Sequence, residues 1–152
     1  MVDIRPIDIP NEPYFNKSEA GDHFHPNQWP DTPGDFRKTI EKYYREMNAL
    51  ADLLMEIFSI ALHLNPIFFK AKLNKNISAL RLICYPDQDT RPKTGQLRTG
   101  ERTDYGTLTI LYASGAPGGL QVLSEMNNWI NVKPKTRNVY YQYCRCNAII
   151  DK

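Results

Sequence analysis

Three histidines, three cysteines and 17 carboxylates make up the chain's stock of metal-ligand and acid–base chemistry. Asp22-His23-Phe24-His25 sets two imidazoles two residues apart, which would place both on one side of an extended strand and let them share a cation. No third ligand stands near, so the pair reads as part of a solvated loop. His63 falls near the end of a long helical pattern, where a donor side chain suits the carbonyl terminus, and its expected role is structural. Cys84, Cys144 and Cys146 form an odd set without paired CxxC motifs. That fits neither a disulfide framework nor a zinc module, and the expectation is reduced thiols. Asn16-Lys17-Ser18 and Asn76-Ile77-Ser78 match the glycosylation sequon. The amino terminus shows no basic start followed by an apolar run, so no secretory signal is read and a cytoplasmic chain is the default.

These side chains sit in a chain of 152 residues with formal net charge +2, 41% hydrophobic and 24% charged, the size of one soluble domain able to bury a single core. Near-balanced charge supplies no concentrated basic surface, so neither nucleic acid nor an acidic membrane is expected as the main partner. The longest nearly unbroken apolar stretch, Ile57 to Leu64, is interrupted by Ser59 and His63 and falls short of the ~20 residues that cross a bilayer.

Residues 1–34 hold six of the eleven prolines and read as an extended amino-terminal segment with at most a short helix. Thr32-Pro33-Gly34-Asp35 then predicts a helix start, with Thr32 as N-cap, Pro33 at the first helical position and Asp35 reaching back. Phe36, Ile40, Tyr43, Met47, Leu50, Leu54, Ile57, Ala61 and Leu64 recur at steps of four and three on one face. The 3.5 spacing is compatible with a coiled-coil seam, but the simpler reading is a helix backing a sheet. Asn65-Pro66 stops it, and Pro66 can open a second short helix to about Leu73, so 35–73 is a helical backing region. Strands are expected at Ala79–Tyr85, Thr107–Ala113, Gly119–Leu123, Trp129–Val132 and Val139–Tyr143, with turns at Pro86, Gly115–Gly119 and Asn127-Asn128. Trp129 is expected to pack against the sheet. Helices first and strands after predict an α+β fold.

Leu80-Arg-Leu-Ile-Cys-Tyr-Pro86, Gly100-Glu-Arg-Thr-Asp-Tyr-Gly-Thr-Leu-Thr-Ile-Leu111, Gly118-Gly-Leu-Gln-Val-Leu123 and Trp129-Ile-Asn-Val-Lys-Pro134 follow one another in a distinctive order. With Asn27-Gln-Trp-Pro30 before the long helix, they resemble the non-haem Fe(II), 2-oxoglutarate-dependent dioxygenases of the isopenicillin-N-synthase-like group. The resemblance covers about Asn27 to Pro134. It implies a double-stranded β-helix, or jelly roll, with 79–134 as its partial core. It also implies iron held by a His-x-Asp pair and a distant second histidine, and a small organic substrate oxidised while 2-oxoglutarate is decarboxylated to succinate. Such a ligand set leaves the remaining iron positions open to co-substrate and dioxygen.

This sequence departs from that pattern at two places. The residues matching the ligand pair are Arg102 and Asp104. A guanidinium has five donors, no lone pair and a permanent positive charge, so it cannot replace the imidazole, and Asp104 stands as a vestigial ligand. Arg102 can face the same side of the strand as Asp104, pair with it and partly fill the metal position. Residues 136–152 form an out-of-pattern tail containing neither the distal histidine nor the Arg-x-Ser that would hold the far carboxylate of 2-oxoglutarate. A frameshift, a misread intron or a pseudogene remnant would account for that tail. Tyr85 matches a tyrosine that contacts the co-substrate in some relatives, and strand packing is an equal reading.

The expectation is therefore a long helix packed on a partial jelly roll that four or five strands are too few to close. The unclosed sheet would expose its edge and the apolar faces of Leu108, Ile110 and Val122, favouring self-association through the open edge. Functionally the chain is expected to be a fragment of an Fe(II)/2-oxoglutarate dioxygenase that does not turn over as written. The alternatives are a degenerate non-catalytic interaction module, or a small-molecule-binding module using the surroundings of Tyr85.

Overall fold

The computed structural model describes residues 1–86, 89–90, 93–94, 96–97, 99–104, 106–113, 119–133, 139–143 and 147–150. They belong to two compact units, Met1–Cys84 and Tyr85–Lys152.

The first unit opens with a strand that the proline-rich composition conceals. β1, Val2–Ile4, pairs antiparallel with β2, Leu80–Leu82, with Asp3 opposite Arg81. Across that pair the Arg81 guanidinium donates through Nε to Asp3 Oδ1 at 2.7 Å and through Nη2 to Oδ2 at 2.9 Å. Ile4 is fully buried. A three-residue strand whose partner lies at the other end of the unit leaves no local period to detect. After a 3-10 turn at Ser18–Ala20 comes a short helix, α1, Gly21–Phe24, whose Phe24 ring meets Phe15 edge-on at 5.0 Å.

The long helix, α2, runs Phe36–Ala61 with neither glycine nor proline inside it. Its start differs from the expected cap. The Pro33 carbonyl accepts from the Phe36 N–H, closing a turn, and the helical ladder begins only where the Thr39 N–H reaches the Asp35 carbonyl. Asp35 is the N-cap residue and makes no side-chain capping bond. Its end also comes earlier than Leu64. His63 adopts φ 57°, its N–H bonds to the Ile60 carbonyl, and the Leu64 N–H bonds to the Ser59 carbonyl at 2.8 Å. This is a Schellman closure, with a histidine in the left-handed position glycine usually takes. The histidine's role is thus structural, through its backbone. The predicted second helix is replaced by separate turns and a 3-10 segment at Lys70–Lys72. There Asn65 Oδ1 accepts from the Ile67 N–H, and the Asn65 carbonyl accepts from the Phe68 N–H.

The buried line of α2 runs through Tyr44, Met55 and Ser59, and the Ser59 hydroxyl is satisfied by the Met55 carbonyl at 3.0 Å. The predicted seam is half-buried from Phe36 to Leu54 and exposed at Ile57, Ala61 and Leu64. A strict 3.5 repeat drifts about 20° per heptad on a straight helix, so three heptads from Phe36 rotate the seam by about 60° away from the core.

The second unit is built from antiparallel strands. β3 is Thr99–Thr103, β4 Leu108–Tyr112, β5 Leu120–Leu123, β6 Trp129–Asn131, β7 Val139–Tyr143 and β8 Asn147–Ile150. One sheet has the order β3-β8-β5-β6, and β4 pairs with β7 in a second. Asn127, at φ 60°, turns β5 into β6, with the Ser124 hydroxyl accepting from the Asn128 N–H. Gln121 Nε2 donates to Asn131 Oδ1 at 2.7 Å across the same hairpin. The expected four or five strands are corrected to eight among the described residues, two of them in the first unit, because β1, β3 and β8 have no local signal. β8 sits between β3 and β5, so residues of the out-of-pattern tail supply an interior strand. Leu108, Ile110 and Val122 are half-buried, not laid bare. Among the described residues neither sheet closes into a barrel.

Candidate functional site

β3 carries the position of interest. Its ladder with β8 pairs Thr99 with Ile150, Arg102 with Ala148 and Thr103 with Asn147, so β3 spends one more residue than β8 between the first two pairs. Such a bulge bends the strand and interrupts strict alternation. Arg102 therefore lies in the regular part of β3, and Asp104 follows directly after the strand's last residue, half-buried. The Arg102 side chain lies outside what the structure describes, as do Cys144 and Cys146.

Tyr85 and Thr99 share a hydrogen bond between their hydroxyls at 2.9 Å, tying the segment after β2 to the first residue of β3. Tyr85 is half-buried, and the bond gives it a structural partner three residues before Arg102 along β3. Thr99 was not singled out by sequence; only its place at the head of a polar-flanked strand marks it. Cys84 is an exposed free thiol.

The histidines stand elsewhere. His23 lies in α1, His25 follows that helix and His63 closes α2, so all three belong to the first unit while Asp104 belongs to the second. His23 and His25 occupy a short helix and its end, not the strand that would have aligned two imidazoles. Among the described residues no three His, Cys, Asp or Glu side chains converge as a metal site would require. The donor set at the β3 position, a guanidinium and one carboxylate, does not fit a divalent iron. A cavity of about 110 Å³ in the first unit is lined by Asp8, Phe15, Tyr44, Asn48 and Asn76 among others. That is well below the ~300–1,000 Å³ of small-molecule sites.

Residues 76–143 match the family model described as the 2OG-Fe(II) oxygenase superfamily. The chain belongs to that superfamily. It is 34% identical over 126 residues to the 2-oxoglutarate-dependent dioxygenase htyE of Aspergillus rugulosus, covering 80% of this chain and 38% of that protein. It is also 34% identical over 105 residues to the Validamycin A dioxygenase of Streptomyces hygroscopicus subsp. limoneus, covering 68% of this chain and 29% of that one. The superfamily chain described here thus spans well under half the length of these relatives. In structure it is similar to a 2OG-Fe(II) oxygenase family protein of Caulobacter crescentus, with TM-score 0.71 and 25% identity over 98% of this chain and 43% of the other. The superfamily's chemistry uses Fe(II) and 2-oxoglutarate. Among the described residues, no helix of this member is long and apolar enough to cross a membrane.

Proposed function

We propose that this chain carries the superfamily's β scaffold without its iron chemistry and does not oxidise a substrate as written. The observation that carries this reading is Arg102 at the position matching the first iron-binding histidine, in a unit whose residues 85–152 contain no histidine. Arg102 pairs with Asp104 and partly occupies the place of the metal, a charge-assisted contact in which a fixed cation stands in for a divalent one. In complete relatives the same position would serve oxidation of a small organic substrate with dioxygen, coupled to conversion of 2-oxoglutarate to succinate.

The test is iron content together with 2-oxoglutarate-dependent succinate production, for the unmodified chain and for Arg102→His. The expected result is no stoichiometric iron and no succinate from the unmodified chain, and a gain of iron binding without succinate in the variant. Succinate from the unmodified chain, or micromolar iron affinity at this site, would overturn the reading.

A second reading, a non-catalytic interaction module, is favoured by the strand order. Among the described residues β6 pairs on one side only, with β5, and Ile130 on it is exposed. Size that increases with concentration supports this module. A thermal shift induced by 2-oxoglutarate in the absence of iron would instead support small-molecule binding near Tyr85.

A further inference from the structure

The near-balanced charge of the whole chain conceals a local imbalance. From Ile57 to Pro86 no Asp or Glu occurs, while Lys70, Lys72 and Lys75 fall within six residues, in and after the 3-10 segment between α2 and β2. All three are exposed, and among the described residues none of them enters an ion pair. The one arginine of the stretch, Arg81, is already paired with Asp3. Two of the lysines rest instead on aromatic rings: Lys72 Nζ lies 4.9 Å from the centre of Phe68 and Lys75 Nζ 4.3 Å from that of Tyr14. Both rings are exposed, so charge and apolar surface are in contact at two places. Three residues of chain span at most about 11 Å, which keeps the two lysines on one small patch. Ile67, Leu73 and Ile77 are exposed in the same run.

We propose that the segment from Ile67 to Ile77 docks on an anionic phospholipid surface. Its three ammoniums meet the headgroup phosphates, and Ile67, Phe68, Leu73 and Ile77 enter the boundary with the acyl chains. Interfacial segments combine these two ingredients, because long lysine stems let the charge stay in the headgroups while neighbouring apolar groups leave water. A single-stranded nucleic acid would also answer the charge and stack on the rings, but it offers nothing to exposed aliphatic side chains, and three of the four apolar residues here are aliphatic. The loop that supplies Tyr14 carries Glu12 and Glu19 against Lys17, so the attraction rests on Lys70, Lys72 and Lys75. The proposal is independent of the iron position, which belongs to the other unit.

The test is flotation of the full chain with vesicles of phosphatidylcholine alone and of phosphatidylcholine containing roughly a quarter phosphatidylserine, since an anionic leaflet attracts each nearby lysine. Flotation separates bound chain from aggregate, which sinks. The chain is expected to bind the anionic vesicles on the order of 100-fold more tightly than the neutral ones, the scale that three surface lysines supply. Raising the salt from about 0.15 to about 0.5 M should release it. Lys70→Gln, Lys72→Gln and Lys75→Gln should each weaken binding about fivefold. Ile67→Ser should weaken it about tenfold and leave the salt dependence unchanged, because it removes inserted surface and not charge. These side chains are exposed, so every variant should keep the helical circular dichroism of the unmodified chain. No flotation with the anionic vesicles, equal binding to both kinds, or binding indifferent to the lysines would overturn the proposal. Full binding by Ile67→Ser would overturn the insertion, and lysine-dependent binding to a single-stranded oligonucleotide with none to vesicles would overturn the choice of partner.

Discussion

Asn27 holds both backbone polar groups of Arg5: its Oδ1 accepts from the Arg5 N–H at 2.8 Å, and its Nδ2 donates to the Arg5 carbonyl at 3.1 Å. A side-chain amide thereby continues the pairing of β1 one residue beyond the strand. The Asn27-Gln-Trp-Pro30 motif had only its order in the sequence to recommend it. Its first residue is an anchor for the amino-terminal segment.

Asn27→Ala should therefore destabilise the chain by about 1–3 kcal/mol, because two part-buried backbone groups lose their partner. Asn27→Asp keeps the acceptor for the Arg5 N–H and loses the donor, so its loss should be smaller. Urea unfolding of the three chains under identical conditions checks the order.

Tyr44 anchors α2 to the segment before β2 by donating its hydroxyl to the Ser78 carbonyl at 2.8 Å. Burial pushes the phenol above its ordinary value near 10, the Asn48 side chain opposes the rise, and the nearby Asp8 charge adds to it. Tyr44→Phe should cost about 1 kcal/mol near neutrality. A raised folded pKa means the stabilisation is complete below the unfolded value and is lost as pH climbs through the folded one. Unfolding followed upward from about pH 9, through the ordinary phenol range near 10, should thus show a steeper alkaline loss in the unmodified chain than in Tyr44→Phe.

The Asp3–Arg81 pair gives the opposite limb. The hydrogen bond from Arg81 holds the Asp3 carboxyl below its usual range, against a smaller desolvation effect. A lowered folded pKa contributes stability above the unfolded value and loses it as pH falls through the folded one. Both side chains are more than a third exposed, so Asp3→Asn should cost only about 0.2–1 kcal/mol near neutral pH. The gap between the two chains should narrow as pH falls below about 4 and in high salt.

His63 occupies a left-handed backbone conformation, at φ 57°. His63→Gly should raise stability by about 0.5–1 kcal/mol, since relief of the Cβ clash outweighs the entropy glycine loses on folding. The melting temperature measured at one scan rate decides the sign, and a fall would mean that the imidazole itself contributes more than the strain it imposes.

What could be read from the sequence divides along the range of the interactions. β4, β5, β6 and β7 were legible because runs such as Leu108-Thr-Ile-Leu-Tyr112 carry their β preference within five residues. β1 and β8 were not, because their strand character comes from partners far along the chain, as Val2 from Leu82 and Ala148 from Val122. The helix existed where its period predicted, yet both ends moved, since Pro33 and His63 close turns through backbone bonds that composition does not encode. At the site, the Arg-x-Asp spacing marked the position, while the bulge between Thr99 and Arg102 depends on β8 and has no local signature. Thr99 as partner of Tyr85 was illegible for the same reason.

The interior place of β8 also bears on how the chain is made. In the described sheet β3 has no neighbour but β8, whose pairing residues come more than forty positions later. At the ~5–20 residues per second of synthesis, β3 waits roughly 2–9 s on the ribosome before its partner has been polymerised. Met1–Cys84 has its own internal strand pair and is polymerised before that interval begins. A nascent chain stalled between β7 and β8 would therefore present a settled amino-terminal half followed by a strand with nothing to pair with. That is the kind of species general chaperones hold, so their occupancy should fall abruptly once β8 clears the exit tunnel.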